Sequence, residues 1–313
     1  MLYKTNILAL VGGGKNPKFP LNKVIIWDDQ QGKQICELRF KTLIKNVKLK
    51  KDIIIVICQN KIYAYKLNSL ELLSEPLETY DNPKGIIALS TIENKTIIAY
   101  PFYRTQGYIQ IKSFEEKFNY LIINAHDSKI SFLAMNKIGT LLASCSEKGT
   151  LIRIFKIDNG EFIQELRRGS DHAIINSLSF DPQSNFIVCN SNKKTIHIFS
   201  LRTSNKYFKD NKKENEKEKE KDEFYKKKYN DEEPKNPKSI LGTLGKLFKF
   251  KDWYFNSEWS FAQYRINDIY SICHFGTNKT IIVITNNGKY YQAMFDPSLG
   301  GECIPIKNIT LNI

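Results

Sequence analysis

The chain has 313 residues, a formal net charge of +14, 42% hydrophobic residues, 12% aromatics and six cysteines. That is enough apolar material for one large domain or two ordinary ones, and too much for a wholly disordered chain. The longest apolar run, Ile53 to Cys58, is far short of the roughly 20 residues that span a bilayer, and no basic-then-apolar start reads as a signal peptide.

Near the start, Gly12-Gly13-Gly14-Lys15 looks like a phosphate loop, but Asn16 follows the lysine and no strand-loop-helix pattern surrounds it. A surface turn is the expectation. Short β-rich runs bounded by Gly, Asn, Asp and Pro then follow one another. Examples are Val24–Trp27, Ile53–Cys58, Thr96–Ala99, Leu151–Phe155, Phe186–Cys189 and Thr280–Ile284. Helical periodicity is nearly absent before residue 200. Such a chain is all-β: a sandwich, a barrel or a propeller.

Internal repetition separates these possibilities. ISFLAMNKIGTLLASCSEKGTLIRIF (130–155) and INSLSFDPQSNFIVCNSNKKTIHIF (175–199) share a plan. Each has an apolar strand, a polar turn, a small-residue strand, a Ser-rich turn, and a strand ending in Ile-Phe. Ile111, Phe155 and Phe199 are 44 residues apart in turn, and Trp27, Tyr65 and Tyr291 close comparable units. About four strands per unit at this period is the mark of a β-propeller, and six units are visible.

The junction of the two best-matched repeats carries Glu165-Leu166-Arg167-Arg168-Gly169. Adjacent side chains on an extended backbone point oppositely. Arg167 and Arg168 could therefore serve two anion sites, one toward each neighbouring unit. Ser146, Thr150, Arg153 and His126 supply hydroxyls and cations on one side. Ser191, Thr195 and His197 supply them on the other. Arginine forks with hydroxyl donors suit phosphate oxygens. The alternative is a pair of solvated loop arginines beside Ser/Thr turns that satisfy their own backbone.

Residues 203 to about 257 interrupt the pattern as an insertion inside the sixth unit. The stretch from Lys206 to Lys251 holds 15 lysines and 10 acidic residues, a net of +5, so +9 lies elsewhere. Its first part has almost no apolar residues and is expected to be solvated and disordered. In the second, Ile240, Leu241, Leu244, Leu247, Phe248 and Phe250 share one half of a helical wheel, with Lys238, Lys246 and Lys249 opposite. That arrangement fits an interfacial membrane segment, or equally a helix packed on the propeller flank. The interleaved acids and the lack of a recognised motif weigh against nucleic acid, leaving RNA binding through the lysine-rich part as a third, weaker alternative.

For chemistry there is little. The four histidines are isolated, no His/Cys cluster has zinc spacing, and no nucleophile has an evident base partner. No catalytic residue, metal or cofactor is expected. The six cysteines lie in apolar runs without a CxxC pair and read as reduced thiols of a cytoplasmic protein.

The chain resembles the PROPPIN family of WD-repeat β-propellers, the short WIPI-type members especially. The strings that carry the resemblance are LALVGGGKNPKFPLNKVIIWDD (8–29), NPKGIIAL (82–89), SEKGTLIRIF (146–155), FIQELRRGSDHA (162–173), KKTIHIF (193–199), SEWSFAQYRI (257–266), YYQAMFDP (290–297) and GEC (301–303). It implies a seven-bladed-type, non-enzymatic, monomeric propeller of residues 1–313. Such a protein binds phosphatidylinositol 3-phosphate and phosphatidylinositol 3,5-bisphosphate. By matching position, Arg167 with His126, Ser146, Thr150 and Arg153 forms the first site. Arg168 with Ser191, Thr195 and His197 forms the second. Leu166 stands where many members have Phe.

The 203–257 insertion occupies the place of the family's membrane-penetrating loop, between the third and fourth strands of blade six. The resemblance also implies recruitment of autophagy lipid-transfer or conjugation proteins to phagophore, endosomal or vacuolar-type membranes. The family has a further blade before the LALVGGG string. The blade closing the ring is thus expected outside this sequence, or the ring closes by another route. A WD-repeat scaffold reading acidic protein motifs without lipid is the alternative function.

Overall fold

A computed structural model describes residues 5–92, 95–115, 120–202, 234–238 and 257–311. The described residues are all β, as the short apolar runs predict, and fall into two compact units. The first comprises residues 1–146 and 157–160. The second comprises 147–156 and 161–313.

In the first unit, β1 (Ile7–Val11), β2 (Lys23–Asp28) and β3 (Lys33–Arg39) form an antiparallel sheet. So do β4 (Ile44–Lys50), β5 (Ile53–Cys58), β6 (Lys61–Lys66) and β7 (Leu77–Glu78). A third sheet holds β8 (Ala88–Leu89), β9 (Ile97–Pro101), β10 (Tyr108–Ser113) and β11 (Tyr120–Asn124). The hairpin of β12 (Ile130–Met135) and β13 (Leu141–Ser146) completes the unit.

The second unit opens with the antiparallel pair β14 (Leu151–Lys156) and β15 (Phe162–Arg167). β16 (Ile175–Phe180), β17 (Phe186–Ser191) and β18 (Thr195–Ser200) follow as a meander. Beyond the insertion, β19 (Glu258–Trp259) lies parallel to β15, and β20 (Ala262–Arg265) is antiparallel to β18. β21 (Ser271–Phe275), β22 (Thr280–Thr285) and β23 (Lys289–Met294) form the last meander. β24 (Gly301–Glu302) returns parallel to β20, and β25 (Ile304–Thr310) pairs with β23.

The central strands explain why the sequence shows continuous apolar runs instead of alternation. In β5, Ile54, Val56 and Cys58 pack with Val24 and Ile26 of β2, while Ile55 and Ile57 pack with Ile98 and Tyr100 of β9. Successive side chains point to opposite faces, and here each face meets another sheet. Both parities must therefore be apolar. In the second unit Val188 of β17 packs with Ile281 and Val283 of β22 in the same way. Each fully buried aliphatic side chain contributes about 1.5–3 kcal/mol.

The repeat plan extends to local irregularities. The first strand of three repeats carries a bulge near its start, at Ile44/Asn46, Ile130/Phe132 and Ile175/Ser177. A bulge sharpens twist at the same point each time, as expected of one supersecondary unit used repeatedly.

Two expectations are corrected. The insertion sits between β18 and β20, the third and fourth strands of the fifth repeat in this chain rather than the sixth. It is also not one excursion. Residues 203–233 and 239–256 lie outside the described residues, but between them Pro234–Lys238 is anchored on the sheet: the Trp259 N–H donates to the Pro237 carbonyl (2.8 Å). Ile240, Leu241, Leu244, Leu247, Phe248 and Phe250, the expected membrane-inserting residues, lie outside the described residues.

Candidate functional site

The arginine pair is placed by the β14–β15 ladder. Leu151 faces Arg167, Ile152 faces Leu166 and Arg153 faces Glu165. Leu166 is fully buried, which turns its neighbours Glu165 and Arg167 to the other face of the strand. Arg168 follows the last strand residue. Neither arginine is a solvated loop residue: Arg167 is 8% exposed and Arg168 5%. A buried guanidinium is costly unless it is hydrogen-bonded or charge-paired.

The two side chains are held differently. Arg167 donates from Nε to the Ser257 hydroxyl at 2.8 Å. Arg168 donates from Nε to the Gly149 carbonyl at 2.9 Å and from Nη2 to the Asp171 carbonyl, while its backbone N–H donates to the Thr150 carbonyl. Gly149 has φ +63°, and a Cβ there would sit 1.9 Å from the Ala173 carbonyl oxygen. Only glycine allows the 147–150 turn to approach this closely, which aims its carbonyl at Arg168. Arg153 is ion-paired across the ladder to Glu165 at 2.9 Å, so part of its charge is met inside the sheet.

Arg168, Ser191, Thr195 and His197 all belong to the second unit. Ser191 ends β17, and Thr195 and His197 lie on β18. Burial, together with the positive charge of Arg168, pulls the pKa of His197 down to about 4. The imidazole is therefore neutral at physiological pH, and the influence of Arg168 places the two groups in one electrostatic neighbourhood. His197 Nδ1 and the Ser260 hydroxyl share a hydrogen bond of 3.1 Å, and Gln263 Nε2 donates to the same hydroxyl at 2.9 Å.

The residues expected with Arg167 are divided between the units. Thr150 and Arg153 lie in the second unit with it. His126 and Ser146 lie in the first. There His126 is buried, its Nε2 sharing a 2.9 Å hydrogen bond with the Ser144 hydroxyl, and its backbone N–H donates to the Gly107 carbonyl. Gly12-Gly13-Gly14-Lys15 is coil beyond β1 with no helix after it, so it presents no phosphate cradle.

Two consecutive buried arginines at the end of β15 are the local pattern, and comparison with known proteins supplies its lineage. The PROPPIN family profile matches residues 17–312. The chain belongs to the PROPPIN family. It is 41% identical over 201 residues to SVP1-like protein 2 of Emericella nidulans, a match covering 64% of this chain and 62% of that protein. This PROPPIN thus spans less than two thirds of the length of that relative. It is 30% identical over 311 residues to Autophagy-related protein 18e of Arabidopsis thaliana, covering 98% of this chain and 74% of the other. A solved complex of KlAtg21 with the coiled coil of AgAtg16 contains a similar fold, with TM-score 0.74 and 23% identity over 100% of this chain and 84% of that one. The fold is of the β-propeller class.

Within this PROPPIN, Ser257 and Ser260 were assigned no role from the sequence. Both sit in Ser257-Glu258-Trp259-Ser260, where the chain returns from the insertion, one hydroxyl reaching Arg167 and the other His197. A signal was present in the string, two hydroxyls close together after a charge-dense stretch. Its meaning depends on β19 pairing with β15, which spacing does not reveal.

Proposed function

We propose that the protein is a non-enzymatic, peripheral membrane-binding propeller. It takes phosphatidylinositol 3-phosphate and phosphatidylinositol 3,5-bisphosphate through two sites around Leu166-Arg167-Arg168-Gly169. The observation that carries this reading is the burial of two adjacent arginines, Arg167 against the Ser257 hydroxyl and Arg168 against turn carbonyls, in a member of the PROPPIN family. Arg167 anchors one head group with Thr150, Arg153, His126 and Ser146. Arg168 anchors the other with Ser191, Thr195 and His197. The apolar residues Ile240 to Phe250 add a wedge into the bilayer. Weak anchors linked in one molecule multiply, so two head-group sites and a wedge give useful avidity without any strong single contact.

On the membrane the protein recruits autophagy machinery of the lipid-transfer or conjugation kind. The solved KlAtg21 complex, whose partner is a coiled coil, offers a precedent for a protein ligand. Action at phagophore, endosomal or vacuolar-type membranes follows from that role.

Vesicle flotation with the Arg167→Thr/Arg168→Thr variant tests the reading. Wild type should float with phosphatidylinositol 3-phosphate vesicles and the variant should remain behind. Equal flotation of both would sink it. Loss of acidic-peptide capture without any change on vesicles would favour a scaffold that reads protein motifs instead.

A further inference from the structure

His197 lies mid-strand in β18, with Cys189 of β17 opposite it on one side and Gln263 of β20 opposite it on the other. Directly opposed residues share a face, so the three side chains form one row across the sheet. Thr195, two residues earlier on the same strand, faces the same way. Burial lowers the pKa of His197 and raises that of Cys189, and the charge of Arg168 acts downward on both, which puts the guanidinium beside this row. All of these residues belong to the second unit.

The His197 ring is held from one edge. Its Nδ1 lies 3.1 Å from the Ser260 hydroxyl, and Gln263 Nε2 donates to that same hydroxyl at 2.9 Å. A serine hydroxyl has two acceptor lone pairs and a single proton. Gln263 occupies a lone pair, and among the described residues the hydroxyl meets no third group. Ser260 is buried, and a buried O–H without an acceptor is costly. Its proton therefore goes to His197 Nδ1, which receives it as a bare nitrogen. In a neutral imidazole one nitrogen accepts and the other carries the hydrogen. The hydrogen of His197 is then on Nε2, at the far edge of the ring. Nε2 has no partner among the described residues and is not sealed from solvent.

We propose that Gln263 and Ser260 are positioning residues that hold His197 as its Nε2–H tautomer, so that it offers one uncharged N–H to a phosphate oxygen gripped by Arg168. This rests on the head-group reading given above, and the ligand class is a phosphate monoester. A neutral donor suits the place, because a second full positive charge beside the guanidinium would be repelled. Neither Gln263 nor Ser260 touches the ligand. Exchanging the Gln263 amide for a carboxylate reverses the relay: Ser260 donates to the carboxylate, its oxygen accepts from Nδ1–H, and Nε2 turns a lone pair toward the phosphate.

The test uses the full chain at roughly pH 8, where the imidazole is neutral. Long-range proton–nitrogen correlation spectra report which ring nitrogen carries the hydrogen, and His197→Gln identifies its signals among the four histidines. Wild type should show the hydrogen on Nε2, and Gln263→Glu should move it to Nδ1. Calorimetry then follows inositol 1,3-bisphosphate in an Arg167→Thr background, which isolates the Arg168 site. Ser260→Ala should weaken that binding about fivefold, and Ser260→Thr, which keeps the hydroxyl, should stay within about twofold of the parent.

A hydrogen on Nδ1 in wild type would overturn the assignment, and so would a Gln263→Glu spectrum unchanged from wild type. The wild-type spectrum decides this even where Ser260→Ala fails to fold. Head-group binding by Ser260→Ala within about twofold of its parent, with only thermal melting affected, would reduce Ser260 to structural support and overturn the positioning role. Wild type that binds neither inositol 1,3-bisphosphate nor phosphatidylinositol 3-phosphate vesicles would remove the head-group reading and the ligand role of the tautomer with it. The nitrogen shifts, which need no ligand, tell that failure from a failure of the relay.

Discussion

Arg167 and Arg168 are neighbours in sequence, both nearly buried, and yet anchored by different kinds of group. Arg168 is gripped by main-chain carbonyls at Gly149 and Asp171, positions that cannot move unless the turns themselves move. Arg167 is held by the hydroxyl of Ser257, whose place depends on the return of the insertion. One guanidinium is set by the repeat and the other by the exception to it. An arginine held by turn backbone is thereby paired with one held at the residue where the insertion rejoins the sheet.

The largest expected effect comes from disturbing the rigid side. Gly149→Ala places a Cβ against the Ala173 carbonyl in a left-handed backbone conformation, and should cost about 3 kcal/mol or more. Thermal melting should show it, together with loss of binding at the Arg168 site.

Next comes acid. His197 titrates near 4 in the fold and near 6.5 when unfolded, so the unfolded chain takes up the proton first as pH falls. The stabilisation is fully present above about 6.5 and is lost progressively down to about 4, amounting to about 3 kcal/mol for this group. Denaturant melts at stepped pH should lose that portion of the slope in His197→Gln. A bound phosphate group should reduce it by favouring the imidazolium.

Arg168→Ala strands the buried Gly149 carbonyl and should cost roughly 1–3 kcal/mol of stability. Ser257→Ala removes one hydrogen bond and should cost about 1 kcal/mol, with Ser257→Thr restoring it. If these last two were equal in melting experiments, the contrast between a rigid and an adjustable arginine would be lost.

Much of this was legible in the residues themselves, for identifiable reasons. Ile53 to Cys58 reads as a central strand because apolar side chains on both parities have no other home in a small sheet. The two best repeats align because their bulges, turns and closing Ile-Phe pairs recur. Spacing predicts that Arg167 and Arg168 point apart, but not that they are buried, because burial depends on what the chain brings back from far away. Ser257 arrives ninety residues later through a two-residue parallel strand, too short to leave a pattern. Asn236 lay hidden for the opposite reason: in a lysine-, asparagine- and proline-rich stretch it looks like solvated chain, and only its fit to the Ser200 backbone distinguishes it.

The distribution of thiols has a practical consequence. Cys58 is buried on β5 in one unit, and Cys189 on β17 in the other. Burial raises the pKa of both, and that of Cys189 to about 12. Alkylating reagents attack the thiolate, so neither side chain reacts appreciably until its strand opens to water. The chain thus carries a built-in stopwatch in each unit. Labelling rates at these two positions time the opening of one unit against the other without any added probe.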